Sequence, residues 1–187
     1  MAPTLRIVDA AGLAPWVAGL RALEADIAYP IDDGRDRFTI DHGDAYHPFF
    51  SALGDARFLL ATEGDAVLGG LVGVFREARE GERSVPAVYL CDYKVAPAQR
   101  GRGTARAMCL HALSKAVTDR SLWRWSLAYA AAMRGERGDV MRSARGVHPA
   151  KLLRPTATLA VYFAKASSLA ALDAAHEAGV VHRDFKS

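Results

Sequence analysis

The stretch VAPAQRGRGTARA, residues 95–107, sets two glycines two positions apart among three arginines, with Pro97 before them and a helix-like run after. A strand ending at a proline, then small residues, then a helix, leaves several consecutive backbone N–H groups without an intrahelical partner. Such donors suit an anion. Gly101 and Gly103 carry no Cβ to hold a phosphate away, and the helix dipole adds roughly half a positive charge at that end. Arg100, Arg102 and Arg106 add ionic contacts or raise the local potential. The residue types point to phosphate binding, with a ligand-free basic turn as the plain alternative. Other phosphate loops fit worse. The chain has no GxxxxGK(S/T) string, and GRGTAR lacks the third glycine of a dinucleotide fingerprint and follows strands of antiparallel character.

Positioning this loop takes a strand before it and a helix after it. VPAVYLCDYKVAP supplies the strand, and residues 104–117 the helix, with Ala105, Met108, Cys109, Ala112, Leu113 and Ala116 as one apolar stripe. Upstream, residues 5–8 read as a strand, and residues 14–29 as a helix with Trp16, Val17, Leu20, Leu23 and Ile27 at helical spacing. Residues 29–46 read as a loop broken by Pro30, Gly34 and Gly43, and residues 47–53 as a second short helix. Residues 57–62 and 66–76 form β-rich runs around Glu63-Gly64-Asp65, which predicts an antiparallel hairpin. REAREGERS, residues 76–84, reads as a polar loop. Further on, residues 123–131 and 157–164 read as strands, 138–145 and 167–178 as helices, and GVVHRDF as a strand or tail.

At 187 residues, 51% hydrophobic and 24% charged, the chain is sized for one globular domain, 1–187, with its core over about 5–164 and a helix and tail over 165–187. A net charge of +3 gives little support to nucleic-acid binding. Cys91 and Cys109 show neither CxxC spacing nor a His cluster, which argues against zinc and against a disulfide framework. The opening residues lack a basic segment with an uninterrupted apolar run, and no 18 apolar residues run together. A cytoplasmic protein with no metal and no membrane partner is the expectation.

RGRGTA, residues 100–105, resembles the R/Q-x-x-G-x-G/A signature of the GNAT superfamily of CoA-dependent N-acyltransferases, with Ala105 in the last position. The strand step Lys94-Val95-Ala96-Pro97 before it and the apolar helix after it are similar to the family's, as is the order of elements from residue 5 to about 164. The resemblance implies an α/β (α+β) fold with a mixed, mostly antiparallel central sheet flanked by helices. It implies acetyl-CoA, or another acyl-CoA, as co-substrate. The backbone of Arg100, Gly101, Arg102, Gly103, Thr104 and Ala105 would hold its pyrophosphate, and the strand end Tyr93, Lys94 and Val95 its pantetheine arm. The acyl carbonyl would sit where this strand splays from the next, near residues 125–129, so that proximity and a backbone N–H carry much of the catalysis.

An attacking amine must lose a proton, and Asp92 is the only carboxylate on residues 87–95. Plain alternation sets Asp92 on one face and Tyr89, Cys91 and Tyr93 on the other. The family pattern places a base at the Cys91 or Tyr89 position, which counts against Asp92 unless a bulge reverses the parity. Cys91 and Cys109 read as buried apolar filler. The helix GDVMRSARG has no Tyr to protonate a departing thiolate, so Tyr129 is the nearest substitute. The chain has no Asn, leaving Asp139 where the family often has one.

For the acceptor, Glu24, Asp26, Asp32, Asp33, Asp36, Asp41 and Asp44 outnumber Arg35 and Arg37, so a cationic small-molecule or peptide amine fits. Tyr46, His47, Phe49 and Phe50 are candidate pocket walls, and His47 or His42 a further base. A solvated acidic loop over helix-packing aromatics accounts for the same residues. The tail LAALDAAHEAGVVHRDFKS resembles a kinase HRD loop without any other kinase element, and Asp184 gets no catalytic role. A homodimer is the assembly considered. The competing readings are a non-catalytic CoA-binding or protein-interaction module of the same fold, and an acyl-CoA or acyl-carrier-protein decarboxylase.

Overall fold

Strand β4, Asp55–Glu63, buries its apolar residues in both directions, which marks a central strand covered on two faces. Phe58 and Leu60 point to a cluster with Leu13, Leu20, Leu23, Tyr46 and Phe50. Leu59 and Ala61 point the other way, to Met108. The computed structural model describes residues 2–31, 35–131, 134–135 and 138–139. Its elements run β1 (Thr4–Val8), a 3-10 turn (Ala11–Trp16), α1 (Val17–Ala25), β2 (Tyr29–Ile31), β3 (Asp36–Phe38), α2 (His47–Leu53), β4, β5 (Ala66–Glu80), β6 (Arg83–Val95), a 3-10 turn (Pro97–Gln99), α3 (Thr104–Thr118) and β7 (Leu127–Ala130).

Five strands form one sheet in the order β1-β4-β5-β6-β7. All neighbours are antiparallel except β6 and β7, which pair in parallel over Ala87–Leu127 to Leu90–Ala130. The expected mixed, mostly antiparallel sheet flanked by helices is what the chain builds. Residues of α1 and α2 pack on one face and those of α3 on the other. None of the described helices is long and apolar enough to cross a membrane.

Several boundaries differ from the sequence expectation. The first helix is α-helical only to Ala25, and residues 29–46 are not all loop, because Tyr29–Ile31 pairs with Asp36–Phe38. Tyr29 precedes Pro30, and a residue before proline is pushed out of helical geometry towards extended structure. REAREGERS is not a loop either: β5 and β6 stay paired out to Glu80 and Arg83 around a turn at Gly81. Its polar side chains are mostly exposed, and among the described residues no helix covers the arm. The strand expected over residues 123–131 shortens to β7, whose pairing with β6 begins only at Leu127; before it the Trp125 indole N–H donates back to the Leu122 carbonyl at 3.0 Å. Leu113 of the α3 stripe is 43% exposed, while Met108 is buried. Where a helix was expected over 138–145, the described residues Gly138–Asp139 instead pair as a short strand with Arg134–Gly135; the rest of that segment, the expected strand at 157–164, the helix at 167–178 and the tail lie outside the described residues.

Phe58 is 1% exposed between two helices and the sheet. Phe58→Ala should cost about 3–5 kcal/mol in urea denaturation, whereas Leu113→Ala should stay within about 0.5 kcal/mol.

Candidate active site

The glycine loop leaves β6 at Val95 and reaches α3 through the 3-10 turn. Gly101 and Gly103 have φ of +75° and +85°, and nothing lies within 4 Å of where a Cβ would stand on either. Their glycine identity answers to backbone conformation and leaves open space above the loop. The amides of Arg100 and Arg102 donate to Pro97 and Gln99 carbonyls. Among the described residues no backbone acceptor takes the N–H of Gly101 or Gly103, and the first turn of α3 has no side-chain cap. A set of free amides at a helix start, ringed by the exposed Arg100, Arg102 and Arg106, is an anion cradle. Thr104 begins α3 and is buried, and Ala105 accepts the Tyr93 hydroxyl at 2.9 Å, tying the strand to the helix.

Beside the cradle, β6 parts from its neighbour. Leu90 and Ala130 are the last paired rung with β7, so residues 91–95 present one backbone edge with no β7 partner among the described residues. Tyr129 stands one residue before the split, its ring stacked on Tyr89 with centroids 5.0 Å apart.

Asp92 sits in a bulge. Gly70 pairs with Lys94 and Val72 with Cys91, so two residues of β6 oppose one of β5. Asp92 takes φ of +51°, uncommon for a residue with a side chain. The extra residue reverses the parity expected from plain alternation. Tyr93, expected on the Cys91 face, turns to α3, where its hydroxyl contacts Ala105 and Cys109. Asp92 and Lys94 turn instead to the α1–α2 face, on which Tyr89 and Cys91 also pack.

There the carboxylate is fully engaged. The Tyr46 hydroxyl donates to Asp92 Oδ2, and Lys94 Nζ lies 2.7 Å from Asp92 Oδ1 and 2.8 Å from Glu24 Oε1. His42 Nδ1 pairs with Glu24 Oε1, and the His42 backbone N–H donates to Glu24 Oε2 at 3.4 Å. Side chains of Glu24, Lys94, Asp92 and His42 are 4%, 2%, 6% and 9% exposed. Glu24, His42 and Asp92 bring polar atoms within 4.8 Å of one another, but the Lys94 ammonium already stands between the two carboxylates, so the cluster is an ionic network. Burial alone would lower the Lys94 pKa, yet the charges and hydrogen bonds of Asp92 and Glu24 together outweigh it and raise it. Burial, then Asp92, pushes the Tyr46 phenol up, so it stays protonated. The Cys91 thiol is pushed up to about 12 by burial and by Asp92, which leaves it inert as a nucleophile.

Sequence reasoning placed Glu24 among the acidic residues of the acceptor side and gave Lys94 a backbone role; it did not foresee the buried pair their side chains form. The signal was there: Glu24 falls among Leu20, Leu23 and Ile27 on the apolar stripe, where a charge needs a buried partner. The aromatic set divides, Tyr46 and Phe50 lying in the core and Phe49 55% exposed, while His47 reaches only Ser51. Asp44 pairs with Arg21 at 2.9 Å on the surface. Asp32 and Asp33 lie outside the described residues, as does the Asp139 side chain.

A sequence profile of the Acetyltransferase (GNAT) family matches residues 26–132, more than half the chain and all of the cradle, the bulge and the split. The chain belongs to the GNAT acetyltransferase family. No curated protein matches the sequence. Among solved structures, an aminoglycoside acetyltransferase from an uncultured soil metagenomic sample aligns at 19% identity and a TM-score of 0.55, over 89% of this chain and 100% of that one. A second, in complex with sisomicin and from the same kind of source, aligns at 16% and 0.54, over 87% and 96%. A ribosomal-protein-alanine N-acetyltransferase from Brucella melitensis biovar Abortus 2308 aligns at 17% and 0.50, over 88% and 99%. At these identities the likeness is one of fold, and it extends over most of this GNAT chain.

Lys94 keeps two buried carboxylates compensated, so Lys94→Met should cost about 3–5 kcal/mol. Because folding raises the Lys94 pKa, its contribution is complete below the ordinary value of 10.5 and is lost as pH rises through the folded value. Denaturation curves across alkaline pH should show that decline in the wild type and its absence in Lys94→Met.

Proposed function

We propose that this chain transfers an acetyl, or another short acyl group, from an acyl-CoA to the primary amine of an acceptor. The observation that carries this reading is the cradle of free amides at Gly101 and Gly103, opening beside a β6 edge that β7 leaves unpaired. The amides of Gly101, Gly103, Thr104 and Ala105, with the side chains of Arg100 and Arg102, hold the pyrophosphate of the substrate. The backbone of Tyr93, Lys94 and Val95 pairs with its pantetheine arm. This division suits Lys94, whose side chain turns away into the buried network.

Holding the thioester at the split beside the amine supplies proximity, and a strand N–H there stabilises the developing oxyanion. Asp92, aimed into the α1–α2 face by the bulge, is the group that receives the amine's proton. Tyr129 is the group that protonates the departing thiolate, a role supported by its position one residue before the strands part. The exposed Asp26, Asp41 and Asp44 on the connection between α1 and α2 favour a cationic amine. Two of the structural neighbours being aminoglycoside acetyltransferases supports the same class of acceptor.

One observation favours a second reading, CoA binding without turnover: both Asp92 oxygens already accept from Tyr46 and Lys94. Acetyl-CoA at a hundred times its Kd should stabilise the fold by about 2.7 kcal/mol. Gly103→Glu, which strains a φ of +85° and brings negative charge to the cradle, should abolish the shift while leaving far-UV circular dichroism intact. No melting shift at millimolar acetyl-CoA would overturn CoA binding. A shift without free-thiol release across a broad amine panel would favour the second reading over the first.

A further inference from the structure

Strand β6 and helix α3 carry the two parts of the proposed donor site, and the loop between them does little to set their separation. The amides of Gln99, Arg100 and Arg102 donate to carbonyls within the loop itself. Residues 100–103 are exposed, and no atom lies within 4 Å of a Cβ position on Gly101 or Gly103. The first turns of α3 rest on apolar contact: Met108 is fully buried against Leu59 and Ala61, and a Cβ on Gly69 would come within 2.9 Å of its sulfur. That contact limits how closely the helix approaches the sheet, yet a flexible thioether tolerates rotation and sliding. A hydrogen bond is more exacting. The Tyr93 hydroxyl donates to the Ala105 carbonyl at 2.9 Å and meets Cys109 Sγ at 3.5 Å, so it spans one turn at the start of α3. Tyr93 faces α3 because of the bulge, while its backbone lies on the β6 edge that β7 leaves free. Burial, then the contact with Cys109, push its phenol up, so the donated proton stays on it.

We propose that Tyr93 is a positioning residue, whose hydroxyl keeps the cradle amides of α3 and the free edge of β6 at one separation, so that a single acyl-CoA engages both. The inference rests on the CoA-binding part of the reading above and is independent of which group accepts the amine's proton. In this role the hydroxyl touches neither the diphosphate nor the pantetheine arm; it acts through Ala105. A ligand held at two linked places gains from the second only as far as their separation matches its own length. Loosening α3 on the strand therefore weakens the intact ligand, while each part of it still finds its own partners: the Gly101 and Gly103 amides stay free, and so does the β6 edge.

The test measures binding of acetyl-CoA, ADP and S-acetylpantetheine to wild type and Tyr93→Phe, by calorimetry for the first and by NMR shift titration for the other two. ADP carries a diphosphate without the arm, and S-acetylpantetheine the arm without the diphosphate. Tyr93→Phe keeps the ring and loses the hydroxyl. It should weaken acetyl-CoA roughly 3- to 10-fold, the size of one hydrogen bond, and leave ADP and S-acetylpantetheine within about twofold of wild type. Unweakened acetyl-CoA binding, in a variant whose far-UV circular dichroism matches wild type, would overturn the proposal. So would an ADP affinity that falls as far as that of acetyl-CoA, because the hydroxyl would then shape the cradle itself rather than its distance from β6. A wild type that binds no acetyl-CoA defeats the CoA-binding reading and this proposal with it, whereas the two preceding results defeat the proposal alone.

Discussion

A single ammonium ties the first helix to the middle of the sheet. Lys94 lies 2% exposed between Glu24 of α1 and Asp92 of β6, and neither carboxylate would tolerate that depth without it. Through Glu24 the same contact reaches His42, and through Asp92 it reaches Tyr46 at the start of α2. Helix α1, the segment before α2 and the middle of the sheet are thereby joined at one point by charge as well as by packing. Tyr46 adopts φ of +62°, a conformation that costs energy in a residue with a side chain. Its burial among Phe50, Phe58 and Leu20, together with the hydrogen bond to Asp92, offsets that cost.

One inserted residue in β6 makes this network compatible with the cradle on the same strand. Without the bulge, Tyr93 would share the face of Cys91, and Asp92 would lie under α3. With it, Tyr93 braces the first turn of α3 while Asp92 and Lys94 serve the opposite face. The strand therefore changes its facing pattern just beyond the last rung shared with β7, where its backbone edge comes free.

How much of this could be read in the sequence follows from the range of the interactions. The cradle is local: a strand, a proline, two glycines and a helix within about a dozen residues, so the motif gave loop, fold and family together. β4, β5 and the first helix's stripe were legible because period and turn residues agree there. The β2–β3 hairpin and the paired arm at 76–84 were missed because polar composition was taken for irregular backbone, although backbone pairing needs no apolar residue where a strand is uncovered. Asp92 was named as the carboxylate of β6, set by plain alternation on the face away from Cys91 unless a bulge intervened; the bulge is there, but it leaves no sequence mark where no glycine or proline accompanies it. Glu24 and Lys94 stand 70 positions apart, and only the folded sheet brings them together.

The two halves of the site also differ in what they ask of side chains. The cradle is made of backbone amides, and its demand on the chain is that residues 101 and 103 reach positive φ, so changing the arginines around it would not remove the donors. The buried network is made of side chains whose charges must be compensated in a dry environment, where changing one member leaves another uncompensated. A change at Glu24 or His42 is therefore felt at Asp92 through Lys94 without passing through the loop at 100–105. The loop and the buried network meet at β6 but rest on separate interactions, and that separation lets a local motif reveal the one while the other stays encoded in contacts distant in sequence.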